Sequence, residues 1–439
     1  MSSDAAAASA PRKAQKKWTS TFFQGLQKMG RSLQLPIAVL PAAGILNRLG
    51  QPDVFGDDGL GWTDVAKVFA GAGSALLDSA LGLPLLFCVG VAIGMAKKAD
   101  GSTALAAVAG FLVYYNILHQ FPECPSGASF DSAMGTCVGD GGKAAGMPTY
   151  QNPGVFGGIV MGLLSAWFWQ RLHRVKLVDW LGFFNGRRLV PIIMAFVALI
   201  FAVLCQWVWP PVGDALTSFS KWMTDLGSWG SGIFGLANRA LIPIGMHQFL
   251  NTFMWFQFGD YEKPGGEVVH GDINRFLAGD PTAGQFTSGF FPIMMFALPA
   301  AALAITHAAH PHRRKVVGGM MLSVGLTSFV TGVTEPIEFS FLFVAPVLYV
   351  IHVVLTGVSM AVTWALGVHD GFSFSAGLID YVINWSLATK PWLIIPIGLC
   401  FAVVYYTLFR FVIVKFDLKT PGREPEELAE EIEKENTQA

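Results

Sequence analysis

The chain has 439 residues, is 53% hydrophobic and only 13% charged, and carries a formal net charge of −1 with a mean hydropathy of +0.49. Ordinary soluble domains carry about 25% charged residues, and several runs here approach the ~20 apolar residues needed to cross a bilayer. The totals therefore exclude a soluble globular protein and give no support to nucleic-acid binding; they fit an all-α polytopic membrane protein of roughly eight to ten spans.

Residues 1–17 are rich in Ala and Ser and then basic (Arg12, Lys13, Lys16, Lys17), with no apolar core directly behind them. That pattern reads as a disordered cytoplasmic tail and not as a cleavable signal peptide. Residues 18–32, with Trp18, Phe22, Phe23, Leu26 and Met29 against Lys28 and Arg31, read as an amphipathic helix on the membrane surface. A first span over 33–49 is kinked by Pro36 and Pro41. The acidic stretch 51–64 has no Lys or Arg and belongs outside, whereas Lys97-Lys98, after the apolar 65–96, marks a return inside. Residues 104–121 cross to a polar loop at 122–152 that holds Cys124 and Cys137, which pair if the loop faces an oxidising side. Cys88, Cys205 and Cys400 lie in apolar runs as packing residues, and no Cys has the basic neighbours that would make it reactive. Residues 155–168 return to Arg171, His173, Arg174 and Lys176, and Gly186-Arg187-Arg188 precedes a span over 189–209.

Beyond this point the alternation fails. His310–Lys315 and the tail from Lys415 both look cytoplasmic, yet three strong apolar runs lie between them, at 316–333, 339–364 and 391–414. Three crossings cannot join two points on one side, so one further segment enters the membrane. The candidates are Gly332–Phe339 and Gly371–Trp385. The first, Gly332-Val333-Thr334-Glu335-Pro336-Ile337-Glu338-Phe339, places two carboxylates, a Pro and a Gly between apolar runs. A charge near the bilayer centre costs roughly 2.5–3.5 kcal/mol, and broken backbone at that depth is tolerated only where protein or water covers it. A re-entrant or broken segment lining a polar site meets these conditions; the alternative is a short loop with both Glu solvated. Residues 259–289, acidic and Gly-rich with Gly271–Phe276 and Gly279–Gly284, have the turn density of a second hairpin. Two interrupted segments in one half of a transporter point to its substrate site.

Glu335 leads the candidate ligands, because a carboxylate accepts hydrogen bonds from vicinal hydroxyls; the competing role is pairing with an Arg to hold the hairpin. Glu338 falls in the first turn of any helix beginning near Pro336 and complements its dipole. His247 lies between apolar segments and can exchange hydrogen bonds with a hydroxyl or accept its proton, though a packed core His is as good a reading. Asn251 shares its helical face one turn on. Arg187 and Arg188 read as positive-inside anchors or site support, and Asp370 opens a polar, aromatic stretch suited to a pyranose. The His residues near 310 sit among Arg and Lys, which argues against a metal site, and no phosphate-binding Gly-rich loop or other cofactor signature is present.

The same residues resemble the membrane component, enzyme IIC, of the sugar phosphotransferase system in its glucose/N-acetylglucosamine superfamily. GVTEPIEF at Gly332–Phe339 is the family's signature, and GDINRFLAGDPTAG at Gly271–Gly284, GFFPIMMFALPAA from Gly289, LPIAVLPAAG from Leu35 and GFFNGRRLVPI from Gly182 agree with it. HDGFSFSAGLIDY at His369–Tyr381 and LKTPGRE at Leu418–Glu424 resemble the N-acetylglucosamine branch. The resemblance implies a homodimer with ten spans, amphipathic helices and two hairpins, in the bacterial inner membrane with both termini cytoplasmic. It implies a scaffold and dimerisation half at 18–230, a sugar-transport half at 231–415 with hairpins near 271–290 and 332–345, a charged tail at 416–439, and an elevator-type movement. Glu335 and His247 would be sugar ligands, with Asn251 and Thr334 beside them; Arg187, Arg188, Glu338 and Asp370 would support the site. Nothing like the reactive Cys and basic run of a IIB domain follows Glu424. The expected partner is therefore a separate phosphorylated IIB protein, with which alone the chain acts as part of a phosphotransferase. The competing functions are a glucose-specific IIC and an ion-coupled sugar symporter without phosphorylation.

Overall fold

A computed structural model describes Met29, Ser32, Pro36, residues 39–77 and 81–124, four short pieces within 129–150, and residues 152–244, 247–263 and 268–423. The basic tail expected at 1–17, most of the surface helix at 18–32 and the acidic end of the chain after Arg423 lie outside the described residues. What is described is helical, with short antiparallel ribbons in two loops. Among the described residues, five helices are long and apolar enough to cross a membrane, or six if Thr63–Leu77 and Gly82–Met95 form one bent span. Ten crossings, the number the resemblance implies, would need shorter apolar segments such as Pro292–Ala308 as well.

By Cα packing the chain falls into two compact units, one within Met1–Leu40, Ser74–Phe219 and Ile244–Phe249, the other within Pro41–Gly73, Ser220–Pro243 and Leu250–Ala439. The helices are α1 (Leu40–Leu49), α2 (Thr63–Leu77), α3 (Gly82–Met95), α4 (Gly101–Leu118), α5 (Val155–Leu172) and α6 (Leu189–Asp225). They continue with α7 (Ser228–Leu241), α8 (His247–Phe256), α9 (Asp272–Leu277), α10 (Leu298–Ala308) and α11 (Arg314–Thr331). The last four are α12 (Glu335–Leu342), α13 (Pro346–Ala365), α14 (Leu378–Ile383) and α15 (Ile394–Lys415).

The first unit packs α3, α4, α5 and the first part of α6 around Phe111, Tyr114, Met161, Trp169 and Met194, all at most 1% exposed. Small residues make this close: a Cβ on Gly158 would lie 2.2 Å from the Pro84 carbonyl oxygen, and one on Gly162 2.5 Å from that of Cys88. Without a hydrophobic drive between helices in lipid, such close backbone approach is what holds them together. Asp100 caps α4 by accepting the Ser102 N–H at 2.9 Å. Helix α6 is longer than one crossing, since its 37 residues span about 55 Å against ~30 Å of hydrocarbon. Pro210 and Pro211 mark where the apolar run ends and a segment carrying Asp214, Lys221 and Asp225 begins.

In the loop after α4, Ser129–Asp131, Thr136–Val138 and Ala144–Gly146 form a three-stranded ribbon, and Cys124 is bonded to Cys137 across a Cα separation of 5.6 Å. Within the second unit, α7 and α13 meet through glycines: a Cβ on Gly235 would lie 2.5 Å from the Met360 side chain, and one on Gly357 3.0 Å from the Gly232 carbonyl oxygen. A π-helical turn, Pro292–Ala297, leads into α10, and the Met294 carbonyl in it accepts the Ser328 hydroxyl at 2.6 Å. The apolar run read as continuous over 339–364 is divided: α12 ends at Leu342, Ala345 leaves helical geometry, and Pro346 starts α13. The physical reason is that Pro has no N–H to give back to the preceding turn and restricts the residue before it.

The second unit also holds Arg48, wholly buried, which makes two 2.6 Å hydrogen bonds to the Asp53 carboxylate and donates through Nε to the Ile383 carbonyl at 2.9 Å. Ser386 adds a third contact to Asp53 at 2.6 Å. Burial pushes the Asp53 carboxyl up, but the hydrogen bonds from Arg48 and Ser386 and the Arg48 charge outweigh it and hold the group below the usual carboxylate range. A depressed folded-state value means that the stabilisation is complete above the ordinary carboxyl range and is lost as pH falls through the folded value. Asp53→Ala strands a buried cation and should cost ~3 kcal/mol, read as a lower thermal midpoint in detergent. The gap to wild type should close as the pH drops below the ordinary value of 3.8. A mutant as stable as wild type at neutral pH would show that the pair holds nothing. Separately, an impermeant maleimide should label neither Cys124 nor Cys137 until a reductant is added; prompt labelling without one would refute the bond.

Candidate functional site

The stretch Gly332–Phe339 is built by one helix stopping and another starting. Gly332 ends α11 in the left-handed region (φ 73°), where a side chain would be strained, and its N–H returns to the Ser328 carbonyl at 2.9 Å. Pro336 lies in the first turn of α12, where its missing N–H costs nothing. The Thr334 carbonyl accepts the N–H groups of Ile337 and Glu338 at 3.1 and 3.0 Å. The result is a break that places Thr334 and Glu335 at a helix N-terminus, where a carboxylate is favoured. Thr334 is buried, Glu335 half-buried and Glu338 wholly buried.

Two carboxylates three residues apart in one turn repel each other. The structure relieves this with a cation the sequence reading passed over. Arg239, 4% exposed near the end of α7, donates through Nη1 to Glu338 Oε1 at 3.0 Å and to the Thr334 hydroxyl at 3.4 Å. Its guanidinium also lies 4.9 Å from the Phe290 ring centre. Nε and Nη2 of Arg239 have no hydrogen-bond partner among the described residues, which leaves two buried donors unused within them. The role of pairing with an Arg, weighed for Glu335, thus falls to Glu338. The signal that could have found Arg239 is the rule that singled out Glu335: an ionisable residue inside an apolar segment is functional by default.

Asn251, 4% exposed on α8, accepts a hydrogen bond from Asn238, the residue before Arg239 on α7. The structure thus links Thr334, Glu338 and Asn251 through two consecutive residues of α7. His247 is the first residue of α8, one turn before Asn251; it is 8% exposed and its Nε2 lies 2.9 Å from the Gln248 side-chain amide. Asp370 is wholly buried and ties its own loop to the earlier Gly-rich one. Its N–H donates to Ser288 at 2.8 Å, and its carbonyl accepts the hydroxyls of Thr287 and Ser288 at 2.8 and 2.9 Å. Asp272 closes that Gly-rich loop by accepting the N–H groups of Gly284 and Phe286 at 2.9 and 3.0 Å. The loop 371–377 in turn reaches the helix break: Ser375 donates to the Gly332 carbonyl at 2.9 Å, and a Cβ on Gly377 would lie 2.5 Å from the Gly332 nitrogen. The three polar stretches, distant in sequence, are one contiguous assembly. Arg187 and Arg188 are engaged within the first unit. Arg187 pairs with Asp100 at 2.7 Å, and Arg188 donates to the Phe183 carbonyl at 3.0 Å and stacks over its ring.

Several apolar helices of spanning length, with carboxylate, hydroxyl, amide and guanidinium groups buried and mutually hydrogen-bonded in the interior, define a polytopic membrane protein. The family model described as "Phosphotransferase system, EIIC" matches residues 30–357. An N-acetylglucosamine-specific EIIC component of Streptomyces coelicolor is 67% identical over 95% of this chain and 97% of its own length. The N-acetylglucosamine-specific EIICB component of Bacillus subtilis is 45% identical over 94% of this chain and 81% of its own. The crystal structure of the transporter ChbC, the IIC component from the N,N'-diacetylchitobiose-specific system, matches with a TM-score of 0.53 at 15% identity. That match covers 89% of this chain and 92% of ChbC, a likeness of fold. The chain belongs to the EIIC family of the phosphotransferase system: it is a sugar-translocating IIC component.

Breaking the buried pair should be costly because one charge stays behind without its partner. Glu338→Gln should destabilise the protein by ~3–5 kcal/mol, whereas Glu335→Gln at the half-buried neighbouring position should leave the thermal midpoint near wild type. Equal midpoints for Glu338→Gln and wild type would remove the ion pair from the account.

Proposed function

We propose that this chain imports N-acetylglucosamine and presents it at the cytoplasmic face of a bacterial inner membrane for phosphorylation by a separate phosphorylated IIB protein, with phosphoenolpyruvate as the ultimate donor. The observation that carries the reading is the 67% identity, over nearly the full length of both chains, to a relative named for that sugar and named as an EIIC component. The Bacillus subtilis relative, named for the same sugar, joins its B component to the C component, which supports a IIB domain as the partner.

Glu335 and Thr334 are the proposed hydroxyl contacts at the helix break, Asn251 the neighbouring amide, and His247 a further ligand on its motif alone. A carboxylate accepts two hydrogen bonds from adjacent hydroxyls, and Arg239 offers donors to an acetamido or ring oxygen. Asp370 supports the fold around these residues through its loop contacts, whereas the contacts of Arg187 and Arg188 lie within the first unit. The protein works as a homodimer with both termini cytoplasmic, the half at 18–230 serving as scaffold and the half at 231–415, with its hairpins near 271–290 and 332–345, carrying the sugar by an elevator-type movement. The chain packs as two compact units whose bounds depart from these halves at 41–73, 220–230 and 244–249; a division into two parts is what a moving part and a fixed one require.

The test is uptake and phosphorylation of labelled N-acetylglucosamine in vesicles, with and without phosphorylated IIB, with unlabelled glucose as competitor. Sugar phosphate formed only with IIB and insensitive to excess glucose is the expected result. Accumulation of unmodified sugar driven by a proton gradient would replace the mechanism with symport, and full competition by glucose would replace the sugar. In the same vesicles Glu335→Gln should bind at least about a hundredfold less sugar, as expected when a charged hydrogen-bond acceptor is lost from a buried site. Near-normal affinity would take Glu335 out of the site.

A further inference from the structure

Behind Glu338 the polar contacts do not stop. Glu338 Oε1, which accepts Arg239 Nη1, also lies 3.2 Å from His352 Nε2 on α13. His352 Nδ1 lies 2.9 Å from the Tyr405 hydroxyl on α15. Glu338, His352 and Tyr405 are each 0% exposed. The directions follow from the chemistry of the groups. A carboxylate only accepts, so Nε2 carries the proton toward Glu338; in a neutral imidazole Nδ1 is then the acceptor, and Tyr405 donates to it. The chain of donors therefore runs from Tyr405 to His352 to Glu338, and Arg239 reaches the same carboxylate oxygen from the other side before touching Thr334. Tyr349 closes the arrangement by donating its hydroxyl to the Arg239 carbonyl at 2.5 Å.

We infer that His352 and Tyr405 are positioning residues for the sugar site. They hold Glu338 in one orientation, Glu338 fixes the Arg239 guanidinium, and Arg239 fixes the Thr334 hydroxyl beside Glu335. Neither residue touches the sugar. An isolated Arg–Glu pair has several rotamers of similar energy. A carboxylate oxygen shared between a guanidinium and an imidazole that is itself anchored has one, and a binding group held in one orientation loses less entropy when the ligand arrives. The arrangement joins α7, α12, α13 and α15, so the groups at the helix break are referred to helices that span the membrane and not to the loop that presents them. Burying so many polar groups without a ligand-facing purpose would be an expensive way to stabilise a helix bundle, since apolar replacements of a buried ion pair are often as stable.

The inference rests on Thr334 and Glu335 contacting the sugar, and the experiment separates the two. Binding of labelled N-acetylglucosamine to the purified full-length protein is measured, together with the thermal midpoint, for Tyr405→Phe, His352→Gln, His352→Leu, Thr334→Val, Glu335→Gln and the double variant Tyr405→Phe/Thr334→Val. Tyr405→Phe removes one hydroxyl and keeps the ring, so the protein folds and the sugar Kd should rise about three- to tenfold. His352→Gln keeps a donor toward Glu338 and should retain more affinity than His352→Leu, a rescue that simple packing would not produce. Because Tyr405 acts through Thr334, the double variant should bind no more weakly than Thr334→Val alone, the non-additivity expected of groups in one network. Wild-type affinity in Tyr405→Phe and His352→Leu, with Thr334→Val and Glu335→Gln impaired, would overturn the positioning role and leave the site standing. Additive losses in the double variant, or a lower midpoint with unchanged Kd, would overturn it in favour of a purely structural role. Full affinity in Thr334→Val and Glu335→Gln as well would bring down the site reading and this inference with it.

Discussion

The second unit is organised around one buried ion pair, Arg239 with Glu338 at 3.0 Å. Neither group is accessible, and each would be prohibitively costly to bury alone in a low-dielectric interior. Each therefore constrains the other's helix. Arg239 is carried to its partner because α7 packs on α13 through Gly232, Gly235 and Gly357, with no side chains to hold the backbones apart. Glu338 is presented because Gly332 and Pro336 stop one helix and start another within four residues. The cation neutralises one of two neighbouring carboxylates; the other, Glu335, is half-buried at the helix break.

Irregular backbone inside a membrane protein leaves N–H groups that water cannot satisfy. Carboxylates take that part here. Asp272 accepts two backbone N–H groups across the Gly-rich loop, and Asp380 accepts those of Ser373 and Phe374 at 2.6 and 3.3 Å. Asp370 joins the two loops through its backbone, and Ser375 joins the second to the helix break at Gly332. Acidic residues that look from the sequence like one class divide by use into those that satisfy backbone and those that pair with a guanidinium.

Much of this was legible in the residues. The apolar runs, the basic loops and the crossing count that failed to balance located a broken segment between residues 310 and 415, and the break at Gly332–Pro336 follows from two residues whose backbone restrictions are local. The division of the run after Phe339 at Pro346 was equally local, but hydropathy averages across a Pro and hid it. Arg239, His352 and Tyr405 were missed for a different reason. Each is a single polar residue in an apolar helix, and one sequence does not say which face of that helix turns toward which neighbour. The covalent pairing of Cys124 with Cys137 stood as a condition on which side their loop faces; the structure bonds the two residues.

The sequence by itself determined that the chain lives in a membrane and that its apolar runs are broken at Gly332–Pro336, because span length, turn residues and the cost of buried charge are properties of short segments. Only the tertiary structure decided which of the two carboxylates, Glu335 or Glu338, enters the ion pair. That choice depends on Arg239, nearly a hundred residues earlier, being brought within 3.0 Å of one of them, and no local rule sets that distance.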